Sequence, residues 1–116
     1  MRRLAIFAAA LIASAVPVFA QEFNYTAVGT NLDGSTYRGT ARIVWISDST
    51  CAIEWTTGGA TSTGICMRNG PAFSAAYSLQ GAIGLVVYQI LDDGSLEGLW
   101  TIAGMNGAGT EVLTPQ

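Results

Sequence analysis

From residue 21 onward, apolar and polar residues alternate in steps of two along most of the chain. This is the period of a strand with one face in a core and the other in water. Between Thr36 and Trp45 the alternation sets Tyr37, Gly39, Ala41, Ile43 and Trp45 on one face and Arg38, Thr40 and Arg42 on the other. Guanidinium groups belong in water, so the aromatic and aliphatic face is the predicted core. Cys51, Ile53 and Trp55 likewise oppose Glu54 and Thr56, and Phe73, Ala75, Tyr77 and Leu79 share a face. Leu96, Gly98, Trp100 and Ile102 oppose Glu97 and Thr101. Ile83 to Leu91 is apolar on both faces. That stretch predicts a strand central in a sandwich or lying under another surface, and an exposed apolar stripe there would mark a partner site. No segment keeps a helical period.

Glycine-rich turns punctuate these runs roughly every ten residues, as expected of short antiparallel strands. The pattern predicts eight strands, at 23–30, 36–47, 50–57, 61–68, 72–80, 82–91, 95–103 and 108–114. Short loops make sequence neighbours into spatial neighbours. The expected fold is therefore all-β, a small antiparallel meander of about eight strands closing into a β-barrel, with a two-sheet β-sandwich as the alternative. Two turns carry the same residues, Asp33-Gly34-Ser35 and Asp93-Gly94-Ser95. Each reads as a type I turn followed by a left-handed glycine, closing a three-residue loop. That loop length sets Tyr37 opposite Gly29 and Tyr88 opposite Gly98, with each ring expected to cover its glycine.

The same turn logic bears on the two cysteines. With Gly58-Gly59 as a two-residue hairpin turn, Thr57 faces Ala60, and pairing backwards puts Cys51 opposite Cys66. A four-residue loop would keep that pairing. Directly opposed strand residues lie about 4.5–5.5 Å apart at Cα, within or close to the reach of a disulfide. A metal site is the rival reading, but two thiols in a chain with no histidine make a poor zinc cage.

The start of the chain differs from all of this. Arg2 and Arg3 precede a nearly unbroken apolar run from Leu4 to Val16, then Pro17 and Val18-Phe19-Ala20. That order predicts a secretory signal peptide over 1–20, cut after Ala20, with a single domain over 21–116. The run is too short for a comfortable membrane span, which needs about 20 apolar residues. The expected location is the periplasm or the extracellular space, where a disulfide persists. Without Arg2 and Arg3 the net charge moves from −3 to −5, with Arg38, Arg42 and Arg68 the remaining cations. Nucleic acid needs clustered positive charge, so it is not an expected partner, and neither is an anionic membrane surface.

Candidate chemistry is sparse. Serine or cysteine catalysis needs a base, and the chain has neither histidine nor lysine. Carboxylate chemistry remains, from Glu22, Asp33, Asp48, Glu54, Asp92, Asp93, Glu97 and Glu111. Four of the aspartates sit in turns, where backbone bonding explains them. Glu54 and Glu97 point outward, and nothing in the pattern brings two carboxylates to one pocket. No enzyme, cofactor or metal is expected. Asp92-Asp93-Gly94-Ser95 lacks the continuation of an EF-hand loop and reads as a turn. Three tryptophans and four tyrosines are expected to fill the barrel, the alternative being that they line a ligand cavity. Arg38 and Arg42 form the candidate surface-recognition patch.

From Tyr25 to Pro115 the chain resembles a family of short exported bacterial proteins with no established activity. The resemblance rests on V-G-T-N-L-D-G-S-T-Y-R-G (28–39), G-L-V-V-Y-Q-I-L-D-D-G-S-L-E-G-L-W (84–100) and G-A-G-T-E-V-L-T-P (107–115). Some such proteins carry the label fibronectin-binding, and the family implies no catalytic or ligand residues. In layout the chain also looks like avidin-type and protease-inhibitor barrels, without a biotin-site pattern. The leading expectation is a non-enzymatic binding or adhesion module acting on an unknown protein through its surface. A barrel for a small apolar ligand is the second. An inhibitor of an extracellular enzyme, acting through 103–108, is the third, and a carboxylate hydrolase the last.

Overall fold

The computed structural model describes residues 21–116, and the signal-peptide reading of 1–20 lies outside the described residues. Eight strands follow one another: β1 (Gln21–Thr30), β2 (Thr36–Trp45), β3 (Thr50–Thr57), β4 (Ala60–Asn69), β5 (Ala72–Leu79), β6 (Ala82–Ile90), β7 (Leu96–Ile102) and β8 (Gly109–Pro115). Each pairs antiparallel with the next, and β8 returns to pair with β1, closing a barrel. Closure leaves no free sheet edge and discards the sandwich alternative. It also discards a central-strand role for β6, whose outward residues face solvent.

Strand limits move by up to two residues from those expected. β2 ends at Trp45, not at 47, because Ser47 turns the chain. Its hydroxyl accepts the backbone N–H groups of Ser49 (3.2 Å) and Thr50 (3.0 Å). β1 extends back to Gln21, which pairs with Trp45.

The turn-derived registers hold. Gly58 and Gly59 both take positive φ (57° and 82°), which a two-residue turn of the primed type requires, and Thr57 pairs with Ala60. Cys51 then stands opposite Cys66 at a Cα separation of 4.9 Å, and the two form a disulfide. The twin Asp-Gly-Ser turns share their bonding as well as their sequence. Asp33 Oδ1 accepts from the Ser35 backbone N–H (2.9 Å) and hydroxyl (2.6 Å), and Asp93 does the same with Ser95 (2.9 and 2.5 Å). These bonds to the ionised form hold both carboxyls below the ordinary aspartate range. Gly29 pairs with Tyr37 and Gly98 with Tyr88.

The meander sends alternate turns to opposite ends. The end that carries the β2–β3, β4–β5 and β6–β7 connections holds most of the large buried side chains. Ile43, Phe73 and Leu113 are almost wholly buried there, with Tyr25, Ile53 and Leu96 around them. Phe73 meets Trp45 and Tyr88 edge-on, at centroid separations of 5.8 and 5.7 Å. The disulfide ties β3 to β4 at this end.

Candidate ligand cavity

Toward the other end the inward positions change character. Six strands place a glycine on the inner face, namely Gly29, Gly39, Gly64, Gly84, Gly98 and Gly109. Three of these are seats for rings. A Cβ on Gly29 would come within 3 Å of the Tyr37 ring, one on Gly84 would strike Tyr77, and one on Gly109 would strike Trp100. These rings therefore sit close over the bare backbone of their glycines. The expectation that Tyr88 covers Gly98 holds only as pairing. The atoms closest to Gly98 are β6 backbone, and the Tyr88 hydroxyl reaches instead to Glu111.

Bare glycines with rings sitting close over them leave space. A cavity of about 320 Å3 opens among the β1–β2, β3–β4 and β5–β6 turns. Tyr37, Trp55, Tyr77, Tyr88 and Trp100 supply its aromatic wall, and Glu111 is its one carboxylate. The expected complete filling of the barrel is thus corrected at this end. Phe73 and Tyr88 are core, whereas Tyr37, Tyr77 and Trp100 are only partly buried and border the cavity.

Glu111 is the polar centre of the site. It is 5% exposed and receives three hydrogen bonds. Tyr37 donates to Oε1 at 2.8 Å, Trp55 Nε1 donates to Oε2 at 2.9 Å, and the Tyr88 hydroxyl also donates to Oε2. The indole N–H can only donate, and a carboxylate facing three donors is set up as an acceptor. Among the described residues no arginine lines the cavity. Burial, then the Glu111 charge, pushes the Tyr88 and Tyr37 hydroxyls well above the ordinary phenol range. Tyr77 is pushed up to about 12 by the same two causes in the same order. Each of these phenols is a neutral donor at neutral pH. Tyr77 donates to the Thr101 carbonyl (3.2 Å) and packs edge-on to Trp55 at 5.1 Å. Ser62, 9% exposed, lines the same cavity, and its hydroxyl bonds to no other described side chain.

Sequence reasoning counted Glu111 among eight carboxylates without singling it out. A signal existed. With Leu113 in the core, a period of two puts Glu111 inward, but Val112 makes the opposite face of β8 look equally apolar. The pairings of Gly29 with Tyr37 and of Gly98 with Tyr88 converge on it too, because Glu111 stands opposite both glycines.

The structure places the other candidates elsewhere. Arg42 lies on the outer wall between Glu22 (3.3 Å) and Glu54 (3.8 Å), so its charge is largely matched, and Arg38 is exposed four residues away on the same face. Asp33 and Asp93 are engaged by their serines. Ala103–Ala108 joins β7 to β8 at the cavity end, with Met105 59% exposed. On the outer wall β4, β6 and β7 present Ile65, Met67, Ile83, Leu85, Val87 and Leu99, each more than half exposed. Val87 pairs with Leu99, so these side chains adjoin.

No protein-family model matches the sequence, and no curated protein matches it. A solved structure does match in fold: a de novo designed fluorescence-activating β-barrel, at a TM-score of 0.65 and 15% identity. The match covers 81% of this chain and 92% of the designed one. At that identity the likeness is one of fold.

Proposed function

We propose that the protein is an exported, non-enzymatic β-barrel that binds a small ligand in its open end. The observation that carries this reading is the cavity itself, about 320 Å3, aromatic-walled, with one buried carboxylate and convergent donors. Ligand pockets are typically of about 300–1,000 Å3, mostly apolar with a few placed polar groups. A designed barrel of this fold is described as fluorescence-activating, which is consistent with a ligand-binding reading. Glycoside hydrolysis needs two facing carboxylates, and the cavity wall holds one. Export is supported by the Cys51–Cys66 disulfide, which persists in oxidising compartments. Among the described residues no helix is long and apolar enough to cross a membrane. The outer faces of β1 and β2 carry Glu22, Asn24, Arg38 and Arg42, which interrupt the apolar band that a lipid-facing barrel presents.

Thermal denaturation against a metabolite panel tests the reading. A ligand that binds only the folded state raises the midpoint by mass action, by about 2.7 kcal/mol of stability at a hundredfold excess over Kd. A panel spanning cations, neutral aromatics and anions that leaves the midpoint unmoved refutes it.

A second reading is favoured by the outer apolar stripe of Ile65, Met67, Leu85, Val87 and Leu99. Exposed apolar residues grouped on one side of a protein mark protein contacts, which fits an adhesion or binding module. Recovery of one envelope or matrix protein by the native chain, and its loss with Val87→Lys, supports this reading. Equal recovery by both refutes it.

A further inference from the structure

We propose that the cavity selects a small organic cation, a protonated or quaternary amine, through Glu111 and the surrounding aromatic rings. This inference rests on the ligand-binding reading and adds the chemical class. Its first ground is the unpaired state of Glu111. A buried carboxylate is ordinarily paired with a cation, because leaving water costs several kcal/mol that hydrogen bonds alone only partly offset. Arg38, Arg42 and Arg68 are all exposed and none lines the cavity. The three donors that face Glu111 are neutral groups, and none of them supplies a countercharge.

The second ground is vacancy at the carboxylate. Two ionised oxygens offer about four acceptor positions. Oε2 takes two hydrogen bonds and Oε1 takes one from Tyr37, itself only partly buried at the open side. One acceptor position on Oε1 therefore remains for a ligand donor. The third ground is the wall. Ammonium groups are attracted to ring faces, and cages of aromatic side chains are the common device for holding quaternary amines. Here two ring pairs flank the space, Tyr37 with Trp100 (centroids 6.2 Å, interplanar 70°) and Trp55 with Tyr77 (5.1 Å, 61°). All four of these rings line the cavity. The raised ionisation of Tyr37, Tyr77 and Tyr88 supports the same picture, because these phenols stay neutral and do not compete for the cation. The unpartnered Ser62 hydroxyl adds a polar contact on the wall.

The volume is small, so the guest is small. Three probes of one shape separate the possibilities: benzylammonium, benzyl alcohol and benzoate. They are titrated into the purified oxidised protein by calorimetry, with tryptophan fluorescence as the second readout. Benzylammonium is expected to bind at least about tenfold more tightly than benzyl alcohol, and benzoate not to bind. A tenfold ratio is the scale of one desolvated cation–π or ionic contact. Glu111→Gln keeps the side-chain shape and an acceptor for Trp55 and Tyr88, and Tyr37 retains the Thr110 carbonyl as an acceptor at 3.2 Å. That variant is expected to lose the preference for benzylammonium over benzyl alcohol, with its fold checked by circular dichroism. Equal or tighter binding of benzyl alcohol or benzoate overturns the cation proposal and leaves ligand binding standing. So does a cation preference that survives Glu111→Gln. Failure of all three probes, together with a failure of tetramethylammonium and neutral tert-butanol, overturns both.

Discussion

Removing the Tyr88 hydroxyl gives the sharpest test of the Glu111 network, because the sign of its effect depends on what stands at position 111. In the native protein Tyr88→Phe deletes one of three hydrogen bonds to the carboxylate, at a site where Tyr88 is 2% exposed. A hydrogen bond to a charged group contributes about 1.5–3 kcal/mol. The midpoint should fall by roughly 6–24 °C for a domain of this size. With Glu111→Leu the acceptor is gone and the Tyr88 hydroxyl is a buried orphan, which costs about 1–3 kcal/mol. Tyr88→Phe then removes the orphan and should stabilise. The cycle therefore predicts a reversal of sign, with a coupling of about 3 kcal/mol, near the upper end for residues in direct contact. Urea denaturation at pH 7 of the four proteins measures it, and a constant slope across the set shows that the states compared are alike. Equal destabilisation in both backgrounds would mean that the network is not as described. Should Glu111→Leu fail to fold, Glu111→Gln serves, with a smaller coupling expected because the amide keeps one acceptor.

The other predictions concern the staple, the phenols, the wall and the outer surface. Cys51 and Cys66 close a loop of sequence separation 15, worth about 3 kcal/mol in the chain-entropy account. Cys51→Ala with Cys66→Ala should thus melt roughly 12–24 °C lower, and a reduced protein that melts with the oxidised one refutes the assignment. All four tyrosines are held above the free phenol value of 10.0. Between pH 10 and about 12, where Tyr77 ionises in the fold, the unfolded chain binds fewer protons than the native one. Stability from this source is full below pH 10 and is lost as the pH rises through that window. Absorbance at 295 nm and circular dichroism should accordingly change together, and phenols that titrate near pH 10 in a folded barrel contradict the burial. Gly84→Ala drives a methyl group into the Tyr77 ring, so it should cost about 1–3 kcal/mol and abolish ligand-induced shifts in the midpoint, an unchanged shift being the refuting result. Val87→Lys, on an outer face 62% exposed, should leave the midpoint within about 0.5 kcal/mol of native stability while reducing binding of a hydrophobic dye, and a large loss of stability would show that face to be packed.

Much of this molecule follows from local rules. Strand existence, inward faces and three of the hairpin registers are legible because a period of two and the φ requirements of glycine turns act over a few residues. The Cys51–Cys66 pairing is of that kind: one turn at Gly58-Gly59 determines it by counting, with no knowledge of the rest of the barrel. The Asp-Gly-Ser turns are legible for the same reason, since every bond they need lies within five residues.

The choice of barrel over sandwich, the cavity and the role of Glu111 were decided elsewhere. Closure depends on β1 meeting β8, a pairing across some 80 residues that no turn specifies. Glu111 gains its meaning only from that closure. Its donors come from β2, β3 and β6, at separations of 74, 56 and 23 residues, and they converge because the closed wall sets three distant strands around one point. The cavity likewise reflects where six inward glycines fall across strands whose mutual stagger is a property of the whole barrel. Alternation along each strand says which residues face in. Only the closed sheet says which of those meet, and so why one carboxylate among eight lies at the bottom of an aromatic pocket.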